Sequence, residues 1–536
     1  MTKIPAFTAP AGLALLCATT AFAAADWNQW RGPQRNGVLP QSPPLMNSFP
    51  ADGLKELWES EMIPSNDDGG LGSIVVANGR AYLSVVWHSD VPSETRTIDD
   101  LVMRKLGYQN PNGLGKEVVA KMEAERLALS PTLRGAKLDE HIQKWIEANL
   151  DKKQKQLFNG FVSGRFKKGK FAIPLDDFEK LQAQVDKPFA SDGELKQWLE
   201  AQGFSDFVKE QVLQTVPPTK RVAEDVVVCL DLATGKTLWK AKSPGEPKGR
   251  TCSSTPAVVA GKVYAMGSTH AYCVDAQSGK QIWSAPLPTK GPGSSPLVVD
   301  GVVVVNAGRL VGYDAASGKQ LWRQEKAGGA NSSPVSWSSG GRNFTLSNGR
   351  NDIACLDPKT GVILWTAPAG GDCTPAIVDD VLAVQSRNPK LGALAYKLSP
   401  QGAERLWSFP IDALRTQSSP IIYGGHVYLM DDNVHYCFEL ATGKLTWQAT
   451  VPSTISSPLL ADGKIYALIN NGNNVQMIKA TGAERIELGK ANVRAAWVPS
   501  PTIADGKLIL RMKDRVRCFN LAEAPKASAS AKLPFP

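Results

Sequence analysis

The chain has 536 residues, 43% of them hydrophobic and 21% charged, with a formal net charge of +9 at pH 7. This length exceeds what one ordinary hydrophobic core needs, whereas a repeat architecture accommodates it because each unit packs mainly on its neighbours. The 47 glycines and 37 prolines fit many short strands joined by tight turns, and they exclude a disordered chain or a bundle of membrane helices. The positive charge is modest and dispersed, so it favours an acidic polymer, an anionic envelope surface or an acidic protein over nucleic acid.

Residues 1–25 have the layout of a secretory signal peptide. Lys3 precedes an apolar stretch, and Ala23 and Ala25 provide an A-x-A-like cleavage site. The apolar run is shorter than the roughly 20 residues that a spanning helix needs. We therefore expect an exported protein, periplasmic or extracellular, that is soluble after signal-peptide removal. Lipidation of Cys17 is not favoured, because Leu16 is larger than the residue a lipoprotein signal has there.

Residues 26–52 are interpreted as an N-terminal extension, and residues 53–90 as the start of a strand-rich domain. From 91 to 222 the strand-like alternation gives way to helical stretches, predicted at Glu117–Leu129, Leu138–Leu150 and Gly193–Ala201. We interpret 91–222 as a helical insertion. Its basic run, 165–170, is predicted to be a solvated surface, with a binding role as the alternative.

A phrase recurs through residues 223–521. Each copy begins near a Ser-Pro or Thr-Pro pair, which is followed by a turn at a glycine. An apolar run then leads to an aspartate, and the copy ends in Thr/Ser-Gly-Lys-x-x-Trp or in a degenerate form of this motif. The opening prolines are 40, 38, 41, 45, 38 and 43 residues apart, a period typical of a four-stranded propeller blade. They are Pro256, Pro296, Pro334, Pro375, Pro420, Pro458 and Pro501.

The strand count predicts an all-β, eight-bladed propeller with the helical insertion in its first blade. Including Ser73, there are eight candidate first strands. There are also eight candidate fourth strands, if Leu54–Ser60 is donated to the last blade and closes the ring. Residues 522–536 are left as a C-terminal tail.

The eight cysteines are not predicted to form disulfides. Five of them occupy the same position in successive units, and equivalent positions of different blades lie too far apart to be bridged. The aspartates before the Thr-Gly-Lys turns are predicted to cap those turns. None of the five histidines has a metal-ligand spacing, and Asp431-Asp432 is only a weak signal for a cation.

Strand direction predicts where function lies. The loops between second and third strands, and the links between blades, emerge on one face, which carries the variable residues. Several blades contribute an arginine there, and planar donors suit carboxylates. The alternative is that these charges are ordinary solvated loop residues. The candidate mouth residues are Arg250, Arg309, Asn331, Arg350, Arg387, Arg415, Gln417, Arg494 and Trp497.

The repeat, written out as Cys-Leu-Asp-Leu-Ala-Thr-Gly-Lys-Thr-Leu-Trp at 229–239, resembles the tryptophan-docking motif of the PQQ-like β-propeller family. The leader Trp27-Asn28-Gln29-Trp30-Arg31-Gly32-Pro33 is similar to that of exported bacterial members. The resemblance implies a propeller in which the Trp of one blade packs over the glycine turn of its neighbour. It also implies one of two classes: quinoprotein dehydrogenases, which hold pyrroloquinoline quinone (PQQ) and a metal beside adjacent cysteines, or scaffold proteins without the quinone.

The chain lacks a Cys-Cys pair and a C-x-x-C-H haem site, so no cofactor is predicted. We expect an exported binding or scaffold module without catalysis of its own, whose partner is a protein or an anionic ligand of the cell envelope. The alternatives are a PQQ-dependent oxidoreductase of alcohol or sugar dehydrogenase type, with Ca²⁺, and a carbohydrate- or polyanion-binding protein. The sequence does not indicate an oligomeric state.

Overall fold

The computed structural model describes residues 26–64, 70–247, 254–289, 293–413, 416–452 and 455–523. These residues form eight sheets, called first to eighth in chain order, each with four antiparallel strands. The strands of a sheet are called A to D. Strands A to D follow one another along the chain in the first seven sheets, whereas the eighth sheet takes its strand D from near the N-terminus. A mostly β chain of four-stranded sheets, the coarse prediction from the repeat, is therefore confirmed.

The strand bounds are as follows. Two strands precede the sheets, β1 (Val38–Leu39) and β2 (Glu56–Glu59). The first four sheets contain β3 (Val75–Ala77), β4 (Arg80–Pro92), β5 (Thr219–Asp231) and β6 (Thr237–Gly245); β7 (Ala257–Val259), β8 (Lys262–Met266), β9 (His270–Asp275) and β10 (Gln281–Pro286); β11 (Leu297–Val299), β12 (Val302–Asn306), β13 (Leu310–Asp314) and β14 (Gln320–Gln324); and β15 (Val335–Ser339), β16 (Arg342–Asn348), β17 (Asp352–Leu356) and β18 (Ile363–Pro368).

The other sheets contain β19 (Ala376–Val378), β20 (Val381–Gln385), β21 (Ala393–Ser399) and β22 (Gly402–Phe409); β23 (Ile421–Tyr423), β24 (His426–Asp431), β25 (Val434–Glu439) and β26 (Leu445–Thr450); β27 (Leu459–Ala461), β28 (Lys464–Ile469), β29 (Asn474–Lys479) and β30 (Glu487–Asn492); and β31 (Thr502–Ala504), β32 (Lys507–Arg511) and β33 (Val516–Asn520), which β2 completes. Strand β1 adds to the seventh sheet, parallel to β27.

Burial explains why the strands differ in sequence. Strand β12 is buried throughout, because both of its faces are covered by neighbouring sheets. Strand β10 alternates, with Trp283 and Ala285 buried and the residues between them exposed, as an outer strand should. Two-residue turns join strands A and B, with positive φ at both positions in Asp300-Gly301.

Tryptophans link neighbouring sheets. Trp239 of the first sheet lies over the turn glycine Gly279 of the second, where an added methyl carbon would be 2.6 Å from the indole. Trp283 lies over Gly318 in the same way, and its indole N–H donates to the carbonyl of Ala315 at 3.1 Å. The glycine is required both by its positive φ and by the close approach of the ring.

A closed cycle of hydrogen bonds joins all eight sheets. Two residues before the start of strand A each sheet has a serine or threonine, whose backbone N–H donates to the side-chain hydroxyl of its counterpart in the next sheet, over 2.9–3.0 Å. The cycle returns to its starting residue, so the A strands surround a common axis. We call it the hydroxyl ring; its members in order are Ser73, Thr255, Ser295, Ser333, Thr374, Ser419, Ser457 and Ser500.

Residues 27–39, here called the axial segment, lie inside this circle of A strands. They bond to six of the sheets, beginning with Val76 of the first, whose N–H donates to the Trp27 carbonyl, and ending with Leu460 of the seventh, whose N–H donates to the Gly37 carbonyl. The residues on either side of the segment contact A-to-B turns. The Asp26 carboxylate accepts from the Asn78 N–H, and the Leu45 N–H donates to the carboxylate of Asp462. The segment therefore fills the channel from the face that carries the A-to-B turns.

Helices occupy the chain between strands B and C of the first sheet. Strands β4 and β5 pair along 13 residues, from Arg80 with Asp231 to Pro92 with Thr219, and so extend beyond the sheet as a ribbon. The helices, here called the helical segment (100–215), have two hydrophobic clusters of their own. They are α1 (Asp100–Leu106), α2 (Lys116–Ala128), α3 (Ala136–Asn149), α4 (Lys152–Lys168), α5 (Leu175–Gln184), α6 (Asp192–Ala201) and α7 (Asp206–Thr215), with short 3-10 turns at Asn112–Leu114 and Gly169–Phe171.

The basic run 165–170 is in part the solvated surface that was predicted, because Lys167, Lys168 and Lys170 are exposed, but its first two residues are buried. Arg165 is buried and donates to both carboxylate oxygens of Glu123, one of them at 2.7 Å. Burial raises the pKa of Glu123, but hydrogen bonds from Arg126 and Arg165 outweigh it and leave the pKa lowered. Phe166 is 1% exposed. The sequence of the run does not reveal the burial of Arg165, because its partner Glu123 lies on a different helix, α2.

The six cysteines in the described ranges are buried free thiols. None of the helices described in the chain is long and apolar enough to cross a membrane. Residues 1–25, including Cys17, lie outside the described residues.

Candidate functional site

The candidate site lies on the face where the B-to-C loops and the links between sheets emerge, here called the loop face. Because neighbouring strands are antiparallel, the starts of the A strands and the hydroxyl ring lie toward the same face. The opposite turn face carries the A-to-B and C-to-D turns. There Asp231 accepts from Thr234 and Asp275 accepts from Ser278, so these aspartates cap turns.

Three residues of the loop face form one network across neighbouring sheets. Asp372, on the link from the fourth to the fifth sheet, accepts from the backbone and side-chain amides of Asn331 and from Arg387, over 3.1–3.3 Å. The Asp372 N–H donates to Thr416, on the link to the sixth sheet, at 3.0 Å. Two predicted site residues, Asn331 and Arg387, are thus held by one carboxylate. The rim at this point is ordered and close to charge-neutral.

The remaining predicted residues are distributed around the face. Arg309 is partly exposed and pairs at 3.1 Å with Glu325, a carboxylate that it shares with Arg323. Arg350 donates to the carbonyl of Gly329, and is therefore next to the link that carries Asn331. Arg494 and Trp497 are exposed on the link between the seventh and eighth sheets. Arg250 and Arg415 lie outside the described residues, so the structure brings together only part of the predicted mouth.

A buried polar pair that the sequence did not identify as a site lies beneath this rim, between the fifth and sixth sheets. Gln385 is fully buried, and none of the hydrogen bonds that meet the distance and angle limits among the described residues involves its side-chain amide. Asp431, which is 4% exposed, interacts with this amide, and one of its carboxylate oxygens has no partner among the described residues. Burial raises the pKa of Asp431 to about 7, Gln385 opposes that shift and the charge of Asp432 adds to it.

Equivalent positions in other sheets show that the Gln385 arrangement is unusual. Asn306 and Asn348 end strand B of the third and fourth sheets, and each donates to two carbonyls of the following link and accepts a backbone N–H from it. Gln385 holds the same place but makes none of these bonds. Its repeat position could be read from the sequence, whereas its missing partners could not.

The helical segment reaches the same side of the molecule. Lys152, at the start of α4, lies 3.3 Å from the carboxylate of Asp412, on the link from the fifth to the sixth sheet. The helices leave the first sheet, so this contact spans the loop face. Both side chains are largely exposed, so this ion pair contributes little to stability. It shows, however, that the start of α4 lies next to this link.

The quinoprotein class that the resemblance implies holds its quinone with a metal ion beside adjacent cysteines. No adjacent cysteines occur in the sequence, and within the described ranges no group of three His, Cys, Asp or Glu side chains could hold a metal ion. The axial segment occupies the channel between the A strands.

Comparison with known proteins agrees with the repeat. The family model described as "Outer membrane protein assembly factor BamB" matches residues 223–336 and 306–523, which together exceed half of the chain. The tetrathionate hydrolase of Acidithiobacillus ferrooxidans is 25% identical over 239 residues, 38% of this chain and 46% of that protein. BamB of Yersinia pestis is 25% identical over 193 residues, 31% of this chain and 48% of that protein.

The chain thus spans about half the length of these curated relatives. Among solved structures, BamB from Moraxella catarrhalis superposes with a TM-score of 0.45 at 16% identity, covering 56% of this chain and 90% of that one. The family model matches more than half of the chain. This chain therefore belongs to the PQQ-like propeller-repeat family described as outer membrane protein assembly factor BamB.

Proposed function

We propose that the chain is an exported, eight-bladed propeller that binds a protein partner of the cell envelope through its loop face and has no catalysis of its own. The hydroxyl ring supports eight blades, because its cycle visits eight sheets and closes. Export rests on the signal-peptide pattern of residues 1–25, and an envelope partner rests on the family that the chain belongs to.

The observation that carries the binding proposal is the Asn331, Asp372 and Arg387 network. It fixes a rim of polar groups across two links and the B-to-C loop of the fifth sheet, so a partner meets donors and acceptors that are already positioned. Preorganised groups lower the entropic cost of association. The half-exposed Arg387 offers remaining N–H donors outward, which suits a carboxylate on a partner surface.

The contact between Lys152 and Asp412 extends the proposed surface. A partner on the loop face would touch both the links and the helical segment, because that segment reaches the link next to Thr416. In this arrangement the helices contribute part of the recognition surface.

Site-specific photo-crosslinking in the native envelope tests the proposal. A crosslinker in place of Arg350 is expected to capture one defined protein, whereas the same group in place of Asp505, on the turn face, captures none. Capture only from the turn face would contradict the proposal.

A matched pair of variants sharpens this test. Arg387→Ala breaks an Arg–Asp pair on the loop face, and Arg342→Ala breaks a similarly exposed pair, with Asp357, on the turn face. The first variant should reduce partner binding at least tenfold and the second should leave it unchanged. Equal effects would indicate a general structural loss.

The PQQ-dependent oxidoreductase is the second candidate, supported by the family resemblance. Purified protein is mixed with PQQ and Ca²⁺ and examined for a cofactor absorption band and dye-linked oxidation of alcohols or sugars. Tight, stoichiometric uptake would replace the scaffold proposal. Carbohydrate or polyanion binding, favoured by the exposed Arg350 and Arg494, predicts instead salt-sensitive binding to a sulfated polysaccharide.

A further inference from the structure

Two arginines of the axial segment are buried at the hydroxyl ring. Arg31 is 2% exposed and Arg35 is 1% exposed. Arg31 donates to the carbonyls of Thr374, Asn36 and Pro420. Arg35 donates to the carbonyls of Ser295 and Pro296 at 3.1 and 2.9 Å. Because Ser295 and Thr374 belong to the hydroxyl ring, both guanidinium groups lie directly beside it.

Among the described residues, neither guanidinium has a carboxylate within ion-pair distance. The carbonyl groups satisfy several N–H donors, but they carry no net charge to balance a cation. The pKa of each arginine is lowered to about 9, mainly by burial, and the charge of Arg31 contributes to the lowering at Arg35. Both groups therefore stay charged at neutral pH, near enough to repel each other in a medium that screens charge poorly.

The same place has unused hydrogen-bond donors. The Nε atoms of Arg31 and Arg35 are both buried and have no partner within the part of the chain that the structure describes. Each hydroxyl of the ring already accepts a backbone N–H, and Thr374 also accepts from the Trp30 indole. None of the described hydrogen bonds uses the hydroxyl hydrogen of Ser295 or Thr374, so these hydrogens are directed elsewhere. Positive charge and unused donors without a carboxylate at ion-pair distance are the features of an anion site.

We propose that a small monovalent anion of the size of chloride binds on the propeller axis between Arg31 and Arg35, beside the hydroxyl ring. Its negative charge offsets the two guanidinium charges and its surface accepts from their Nε–H groups. A small ion is required because both groups are almost completely buried. The site is separate from the loop-face surface, so this inference does not depend on the proposed partner.

Thermal unfolding at constant ionic strength tests the proposal, with chloride exchanged for gluconate. Binding to the folded state predicts a saturable rise in Tm of roughly 1–3 °C with chloride or bromide. Sulfate is the control for general salt effects. Equal Tm values in chloride and gluconate, or stabilisation by sulfate alone, would overturn the proposal.

Variants and a direct probe separate binding from folding. Arg35→Gln should abolish the chloride-dependent shift, whereas Arg309→Gln, which removes a partly exposed arginine, should retain it. Should Arg35→Gln fail to fold, ³⁵Cl NMR of the unchanged protein decides: saturable line broadening that excess bromide reverses supports the site, and its absence refutes it.

Discussion

The backbone N–H of Ser500 donates a 2.9 Å hydrogen bond to the hydroxyl of Ser73, 427 residues earlier in the chain. This bond closes the hydroxyl ring, and both residues are buried. Ser73→Ala leaves the buried Ser500 N–H without its acceptor and should lower the free energy of unfolding by about 1–3 kcal/mol. Ser73→Thr should recover most of the loss, since threonine serves at two other positions of the ring. Urea unfolding measures both, with a substitution at an exposed serine, Ser48→Ala, as the neutral control.

Two glycines with the same backbone conformation isolate the contribution of tryptophan packing. Gly318 and Gly301 have φ of +73° and +76°, but only Gly318 has an indole, that of Trp283, against the position of an added Cβ. Gly301→Ala should lower the free energy of unfolding by about 1 kcal/mol, from backbone strain alone. Gly318→Ala should lower it by about 1–3 kcal/mol more than Gly301→Ala does, because Trp283 must move. Similar losses for both would contradict the packing explanation.

Asp431 should make the protein less stable as pH rises. Its pKa is about 7 when folded and near 3.8 when unfolded, so the folded state holds its proton longer. The contribution of the Asp431 carboxyl group to the free energy of unfolding is therefore fully present below pH 3.8 and is lost as the pH rises through 7. Asp431→Asn cannot ionise, and it should be more stable than the parent protein by roughly 2–4 kcal/mol at pH 8, with little difference at pH 4. Urea unfolding at several pH values measures this, and a pH-independent difference would disprove the assignment.

His435 should act in the opposite direction. Burial lowers its pKa to about 3, helped by the charge of Arg485, whereas the unfolded value is 6.5. Its contribution is complete above pH 6.5 and is lost as pH falls toward 3. His435→Gln should therefore remove an acid-induced loss of about 2–3 kcal/mol between pH 6.5 and 4.5. Parallel acid-unfolding profiles for the two proteins would rule this out.

Zero-length carbodiimide crosslinking tests where the helical segment lies. The ammonium of Lys152 and the carboxylate of Asp412 are 3.3 Å apart, so mass spectrometry should find an amide joining them. The pair Lys167 and Asp139, 2.8 Å apart within the segment, is the positive control. A crosslink in the control pair without one between Lys152 and Asp412 would show that the helices lie elsewhere.

The sheets could be predicted because the sequence of each repeat unit specifies its own strands and turns. Trp283 and Gly318 could be paired from the period, and the serine or threonine before strand A recurs in every unit, although its hydrogen-bonding role became evident only from the ring. The candidate site was less predictable. Asp372 neutralises Arg387, Glu325 pairs with Arg309, and Gln385 meets Asp431, and each of these contacts joins parts of the chain whose proximity depends on loop conformation.

The axial arginines mark another limit. Arg31 and Arg35 stand among glycines and polar residues that give no local sign of burial, yet they are among the most buried side chains of the described residues. Their burial follows from the carbonyls of Ser295, Thr374 and Pro420, which converge only when separate sheets are assembled. No local pattern encodes that convergence.

Strand β2 pairs with β33, and this pairing has a consequence for biosynthesis. Residues 56–59 leave the ribosome long before residues 516–520, so the strand that completes the eighth sheet waits until nearly all of the chain has been made. Contacts of such sequence separation slow folding and leave an unpaired strand edge exposed during synthesis. The eighth sheet is therefore completed only when the early strand β2 joins the late strand β33, and chaperone protection would matter most before that step.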